Sequence, residues 1–247
     1  MLHDGENAAV VDPGQAEPVV EALEAAGLRL AAILVTHHHA DHVGGVDALR
    51  ARLEGRPVYG PALESIPRPF TPLRDGEAIE VLGLHFRVID VPGHTAGHIA
   101  YFQTPAAGEG ALAAPILFCG DTLFSAGCGR VFEGTPAQMY RSLQKLDALP
   151  ADTRVCCTHE YTLANLRFAA AVEPANAQIA EYTEACRATR EAGRPTLPST
   201  LAHERQINPF LRCAEPAAIA AARSQGAASD SAVDVFGALR AWKNHYR

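Results

Sequence analysis

A chain of 247 residues with 48% hydrophobic content can bury the core of one large domain or two smaller ones and is not a disordered segment. Its formal net charge of −7 excludes a general nucleic-acid surface, which needs a basic face; an anionic small molecule stays open as a substrate, because bound cations reset the local field. MLHDGENAAV has no basic segment followed by an apolar run, and no apolar stretch reaches the ~18 residues of a span, so neither a signal peptide nor a membrane helix is predicted.

In chain order, Ala8–Gly14 predicts a strand ended by a turn. Ala16–Gly27 predicts a helix with an early Pro18 and a terminal Gly27, Ala31–Val35 a short buried strand, and Val46–Gly55 a helix with Val46, Leu49 and Leu53 on one face. A run of prolines makes Arg56–Asp75 loop-rich, and Glu77–Gly93 reads as a hairpin with Gly83 in its turn. HIAYFQT and PILFCGD are two more strands, separated by a low-complexity stretch, Pro105–Pro115, that reads as a mobile loop. Thr135–Pro150 predicts a helix capped by Thr135 with Pro136 at its first position, and Thr153–His159 a last strand. After Tyr161 the pattern is helical without a strand: Leu163–Val172, Ala175–Ala192, Pro216–Ser224 and Ser231–Trp242. The expected organisation is an α/β part over residues 1–161 and a helical part over residues 162–247, with no internal repeats. The six cysteines (Cys119, Cys128, Cys156, Cys157, Cys186, Cys213) form no C-x-x-C pair and read as reduced, buried thiols of a cytoplasmic protein.

The chemistry concentrates in VTHHHADHVGG, Val35–Gly45. At an extended strand end His37 and His39 share a side while His38 points away, and the following turn brings Asp41 and His42 to a neighbouring position. Two ligand pairs side by side are what a two-metal site requires. Three further candidates each follow an apolar run: His94 after RVIDVPG, Asp121 after PILFCG and His159 after TRVCCT. Strand ends are where open α/β sheets place their sites. His98 reads as a supporting residue, and His3, His85, His203 and His245 belong to no motif.

THHHADH, GHTAGH, CGDT and CTHEY resemble the metal motifs of the metallo-β-lactamase fold. GDTLFSAGCGRVFEGT and THEYTLANLRFA, with STLAHERQINPF in the helical end, resemble one branch of it over nearly the whole chain: glyoxalase II, the hydroxyacylglutathione hydrolases. The resemblance implies an αββα sandwich followed by a smaller all-helical substrate-binding domain. It implies that His37, His39 and His94 hold a first metal, that Asp41, His42 and His159 hold a second, and that Asp121 bridges them with a water or hydroxide. The pair would be zinc first, with iron or manganese as alternatives that the same ligands suit.

The implied reaction is hydrolysis of S-D-lactoylglutathione to D-lactate and glutathione by a metal-activated hydroxide, with Asp41 and Asp121 as catalytic carboxylates. The glutathione thioester would be bound by Arg130 and Tyr161, and its glycine carboxylate by Arg240 and Lys243, which lie three apart on one helix face. Two departures stand out: Phe132 replaces the tyrosine of many relatives, and the family's opening strand ahead of MLHDG is lacking, so the numbering is expected to begin at an internal methionine. The chain is expected to act as a monomer, without nucleic acid or membrane. The rival readings are a persulfide dioxygenase with a single iron on the same fold, against which LRAWK speaks, and a non-enzymatic metal- or glutathione-binding protein, against which the complete ligand set speaks.

Overall fold

Short apolar runs alternate with helical ones through the first half of the computed structural model, which describes residues 1–104 and 114–246. β1 (Leu2–His3) turns at Asp4–Gly5 into β2 (Asn7–Val11), which leads to α1 (Glu17–Ala26) and β3 (Arg29–Leu34). A one-turn α2 (Ala40–Val43) and α3 (Val46–Leu53) precede β4 (Val58–Pro61) and β5 (Thr71–Leu73). These five strands form one sheet in sequence order, antiparallel between β1 and β2 and parallel thereafter. Val19, Val20 and Leu23 of α1 and Val46, Leu49 and Leu53 of α3 pack with Val10, Leu30, Ile33 and Val58 in one core cluster, which is why β3 reads as an almost unbroken apolar run. Gly27 ends α1 at φ 66°, as its position predicted.

β6 (Ala78–Val81), β7 (Leu84–Asp90), β8 (Ile99–Gln103) and β9 (Ile116–Phe118) follow as an antiparallel meander. Leu82 and Gly83, both at positive φ (55° and 72°), close the predicted β6–β7 hairpin. The meander is tied to the first sheet by the Tyr101 hydroxyl, which donates to Val35 O (2.9 Å), and by Ile99 N, which donates to Thr36 O (3.0 Å). Of the loop expected at Pro105–Pro115, residues 105–113 lie outside the described residues.

The remaining elements are β10 (Leu123–Phe124), β11 (Gly127–Cys128), α4 (Pro136–Asp147), β12 (Arg154–Cys156), α5 (Thr162–Val172), α6 (Ala177–Glu191), β13 (Ser199–Thr200), α7 (Leu201–Ile207), α8 (Pro216–Ser224) and α9 (Ala232–His245). α4 starts with the predicted Thr135 cap, completed by Gln138 into a capping box. Three expectations need correcting. β4 and β5 occupy the proline-rich passage that reads as loop, β12 is shorter than Thr153–His159, and the segment after Tyr161 contains the short strand β13, which pairs with β12. Each of these strands is held by its neighbour and is too short to show a local period.

Met1–Asp90 and Thr95–Gly120 form one compact unit; Val91–His94 and Asp121–Arg247 form a second. Apart from β13 only helices follow Tyr161, whereas the units divide at Gly120–Asp121, because side chains from the helices grip the β10–β11 hairpin. Asn165 donates to Ser125 O (3.0 Å), Asn208 to Phe124 O (3.1 Å) and Gly127 O (3.0 Å), and Arg240 to Cys128 O (2.8 Å). The fully buried Glu204 accepts from Ala126 N (2.8 Å), at the turn position with φ 54°. Among the described residues no disulfide joins the cysteines, and no helix is long and apolar enough to cross a membrane.

Candidate metal centre

In the first unit the chain leaves β3 as Thr36–His37–His38–His39 and enters α2, whose single turn carries Asp41 and His42. His37 and His42 are fully buried, and the Asp41 side chain is open to solvent. Asp12, at the end of β2, organises the group. Its Oδ1 accepts from Thr36 N (2.7 Å), and its Oδ2 accepts from Thr36 Oγ1 (2.7 Å) and His42 Nδ1 (3.1 Å). With its proton committed to Asp12, the Thr36 hydroxyl oxygen accepts from His37 Nδ1 (3.1 Å). This chain of bonds keeps the protons of both imidazoles on Nδ1 and leaves each Nε2 as the electron-pair donor, the outer-shell pattern of ligating histidines. His37 Nε2 then lies 3.1 Å from His39 Nδ1, and His42 Nε2 lies 3.7 Å from Asp41 Oδ2. Two ligand atoms on one tetrahedral cation sit about 3.3 Å apart, so both pairs have the spacing of a shared ion. His98 stacks on His37 (4.6 Å between centroids) and supports that ring, as expected.

In the second unit His94, Asp121 and His159 converge. Asp121 Oδ2 lies 3.5 Å from His94 Nε2, and its Oδ1 lies 3.6 Å from His159 Nε2, so one carboxylate offers one oxygen toward each imidazole. His94 Nδ1 donates to Arg130 O (2.9 Å), which again leaves Nε2 as the electron-pair donor. The glycine of the P-G-H string is required here: Gly93 has φ 152°, and a Cβ on it would stand 2.7 Å from Met139 Cβ and Sδ on α4. His159 is held by aromatic contacts, stacked on Tyr161 (5.2 Å, 24°) and beside Phe124 (6.2 Å).

The residues expected to hold the substrate are distributed unequally. Arg130, whose own carbonyl accepts from His94, and Tyr161, stacked on His159, are both exposed, and the exposed Phe132 ring lies 5.3 Å from that of His94. Arg240, expected with Lys243 to meet a substrate carboxylate, turns inward. It is only 6% exposed, donates to Cys128 O, and lies over the Phe210 ring at 5.2 Å. Lys243 donates to Ala164 O (3.1 Å) above the Phe168 ring. Burial, reinforced by the charges of Arg240 and Arg167, pushes the Lys243 ammonium down to about 8. If Lys243 holds a substrate carboxylate, KM rises between pH 7 and 9.5 as the ammonium loses its proton, with a smaller change in kcat. Between about pH 8 and the ordinary lysine value the unfolded chain keeps this proton and the folded chain has released it, so stability climbs over that window. A KM–pH profile identical in Lys243→Gln and the parent protein would remove Lys243 from this role.

Sequence reasoning missed Asp12, although VVDPG places it at a strand end like the candidate ligands; Glu64 and Asn208 carried no local signal.

The profile described as the metallo-beta-lactamase superfamily matches residues 1–159. In fold the chain is similar to ETHE1 from Myxococcus xanthus (TM-score 0.59, 27% identity, 84% of this chain and 75% of that one). It is also similar to TTHA1623, solved in a di-iron-bound form (TM-score 0.53, 29% identity, 82% and 88%). Fold and ligand set thus define a metallo-β-lactamase-type protein. The profile described as the hydroxyacylglutathione hydrolase C-terminus matches residues 160–246. Hydroxyacylglutathione hydrolases of Albidiferax ferrireducens (56% identical, covering 100% of this chain and 94% of that relative) and Alkalilimnicola ehrlichii (58%, covering 96% and 90%) align along it. The chain belongs to the hydroxyacylglutathione hydrolase family.

Proposed function

We propose that the chain hydrolyses S-D-lactoylglutathione and related 2-hydroxyacylglutathione thioesters, giving the hydroxy acid and glutathione. In this reading His37, His39 and His94 hold one divalent cation, Asp41, His42 and His159 hold a second, and Asp121 serves both. The observation that carries it is the Asp121 carboxylate, whose two oxygens each face a different imidazole at ligand spacing. Imidazoles and carboxylates suit zinc, iron and manganese alike, and a relative of this fold has been solved with two irons. When bound, the cations supply Lewis acidity, making hydroxide available near neutral pH and polarising the thioester carbonyl.

The chain's own groups do the rest. Asp41, the most open carboxylate of the set, helps to orient the attacking hydroxide. Asp12 and Arg130 O keep the imidazole protons on Nδ1. Arg130, Tyr161 and Lys243 hold the glutathione part away from the reacting carbon. The departing thiolate needs no dedicated acid, since a thiol pKa is only about 8.5.

Reaction of lactoylglutathione under nitrogen, run beside elemental analysis, tests the reading. Lactate and glutathione in equal amounts, from protein carrying two metals per chain, is the expected result. A requirement for dioxygen would favour an oxygenase of the same fold, and full activity with one metal per chain would overturn the dinuclear site.

A further inference from the structure

Between β4 and β5 the chain makes a proline-broken excursion with no regular structure, and one charged side chain turns inward from it. The Glu64 side chain is 2% exposed and receives four donors. Its Oε2 accepts from His38 N (2.6 Å) and His38 Nδ1 (3.0 Å), and its Oε1 accepts from Thr95 Oγ1 and Gly97 N (3.1 Å). The packing leaves no slack, since a Cβ on Gly97 would stand 2.7 Å from Glu64 Cγ.

The positions of those donors give the carboxylate its meaning. His38 N is the amide between His37 and His39, and Thr95 is the residue bonded to His94. One carboxylate thus ties down the backbone at the centre of H-x-H, the hydroxyl of the residue directly after the third proposed ligand of the same cation, and the Gly97 amide two residues further on. It also accounts for His38, whose Nδ1 binds the same oxygen as its own amide; the ring does not point away from its neighbours, as the strand alternation suggested, but lies edge-on to that of His39 at 5.0 Å. Buried acceptors saturated by fixed donors are costly to disturb, and removing one strands the others.

We infer that Glu64 is a positioning residue for the cation held by His37, His39 and His94: it binds no metal and no substrate, but sets the geometry of that site alone. The inference rests on the ligand assignment proposed above. Replacing the carboxylate by an amide turns an NH2 group against one of the two donor pairs and frees one loop while keeping the volume. Outer-shell changes of this kind cost about 10- to 100-fold in metal affinity.

The test is a chelator competition for zinc with the parent protein, Glu64→Gln, Thr95→Val and His39→Ala, each also melted without metal. Glu64→Gln should weaken one of the two zinc ions by about 10- to 100-fold, leave the other within about twofold, and regain most of its hydrolytic rate in excess zinc. Thr95→Val, which removes one donor, should weaken the same ion by less. Parent-like affinity for both ions in Glu64→Gln, or in Thr95→Val should Glu64→Gln not fold, overturns the inference. So does weakening of both ions in step with a lower metal-free melting temperature, which is what a purely structural role produces. If His39→Ala binds both ions as the parent does, the ligand assignment is what fails.

Discussion

Asp121→Ala is expected to abolish nearly all hydrolysis and to release at least one metal. One oxygen of this carboxylate faces His94 and the other faces His159, so the substitution removes a ligand from both proposed cations at once. A dinuclear site contributes several kcal/mol of transition-state stabilisation, and a loss of about 4 kcal/mol lowers the rate about a thousandfold. The methyl group is smaller than the carboxylate it replaces, so far-ultraviolet circular dichroism should be unchanged. A variant that retains two metals and a tenth of the parent rate would show that Asp121 is not shared.

Arg240→Ala carries the second large effect, and it falls on stability as well as binding. The buried guanidinium donates to Cys128 O at 2.8 Å and lies 3.5 Å from Gly129 O, directly before Arg130, and it covers the Phe210 ring. Truncation leaves a buried carbonyl without its donor and a gap beside an aromatic ring, a loss of about 1–3 kcal/mol. At this chain length that corresponds to a melting temperature lower by about 5 °C. KM should rise in parallel, since the strand that presents Arg130 loses its support. A raised KM with an unchanged melting curve would return Arg240 to direct contact with the substrate carboxylate.

Most of the candidate metal centre was legible because its residues obey a local rule. His37 to His42 crowd into one short string, and His94, Asp121 and His159 each terminate an apolar run. Asp12 obeys the same rule, but Pro13 and Gly14 supplied a sufficient reason for a turn aspartate and masked it. Glu64 and Glu204 obey no local rule. The partners of Glu64 lie 26 to 33 residues away, and the amide that Glu204 binds lies 78 residues away. The same distinction separates the elements. α1 and α4 announce themselves through caps and apolar faces, whereas β4, β5 and β13 exist because a neighbour offers hydrogen bonds. The burial of Arg240 was not legible, because helical spacing specifies the face it shares with Lys243 and not what covers that face.

The grip of helical side chains on the β10–β11 hairpin has a consequence for how this chain can be recombined with its relatives. Asn165, Glu204, Asn208 and Arg240 belong to the stretch that looks exchangeable, yet every one of their bonds to the hairpin ends on residues 124–128. A chimera spliced at Tyr161 hands a foreign hairpin to these side chains, whereas one spliced at Gly120–Asp121 transfers hairpin and helices as one inherited module. Soluble yield and melting temperature should therefore favour the earlier splice, even though it cuts beside a proposed metal ligand.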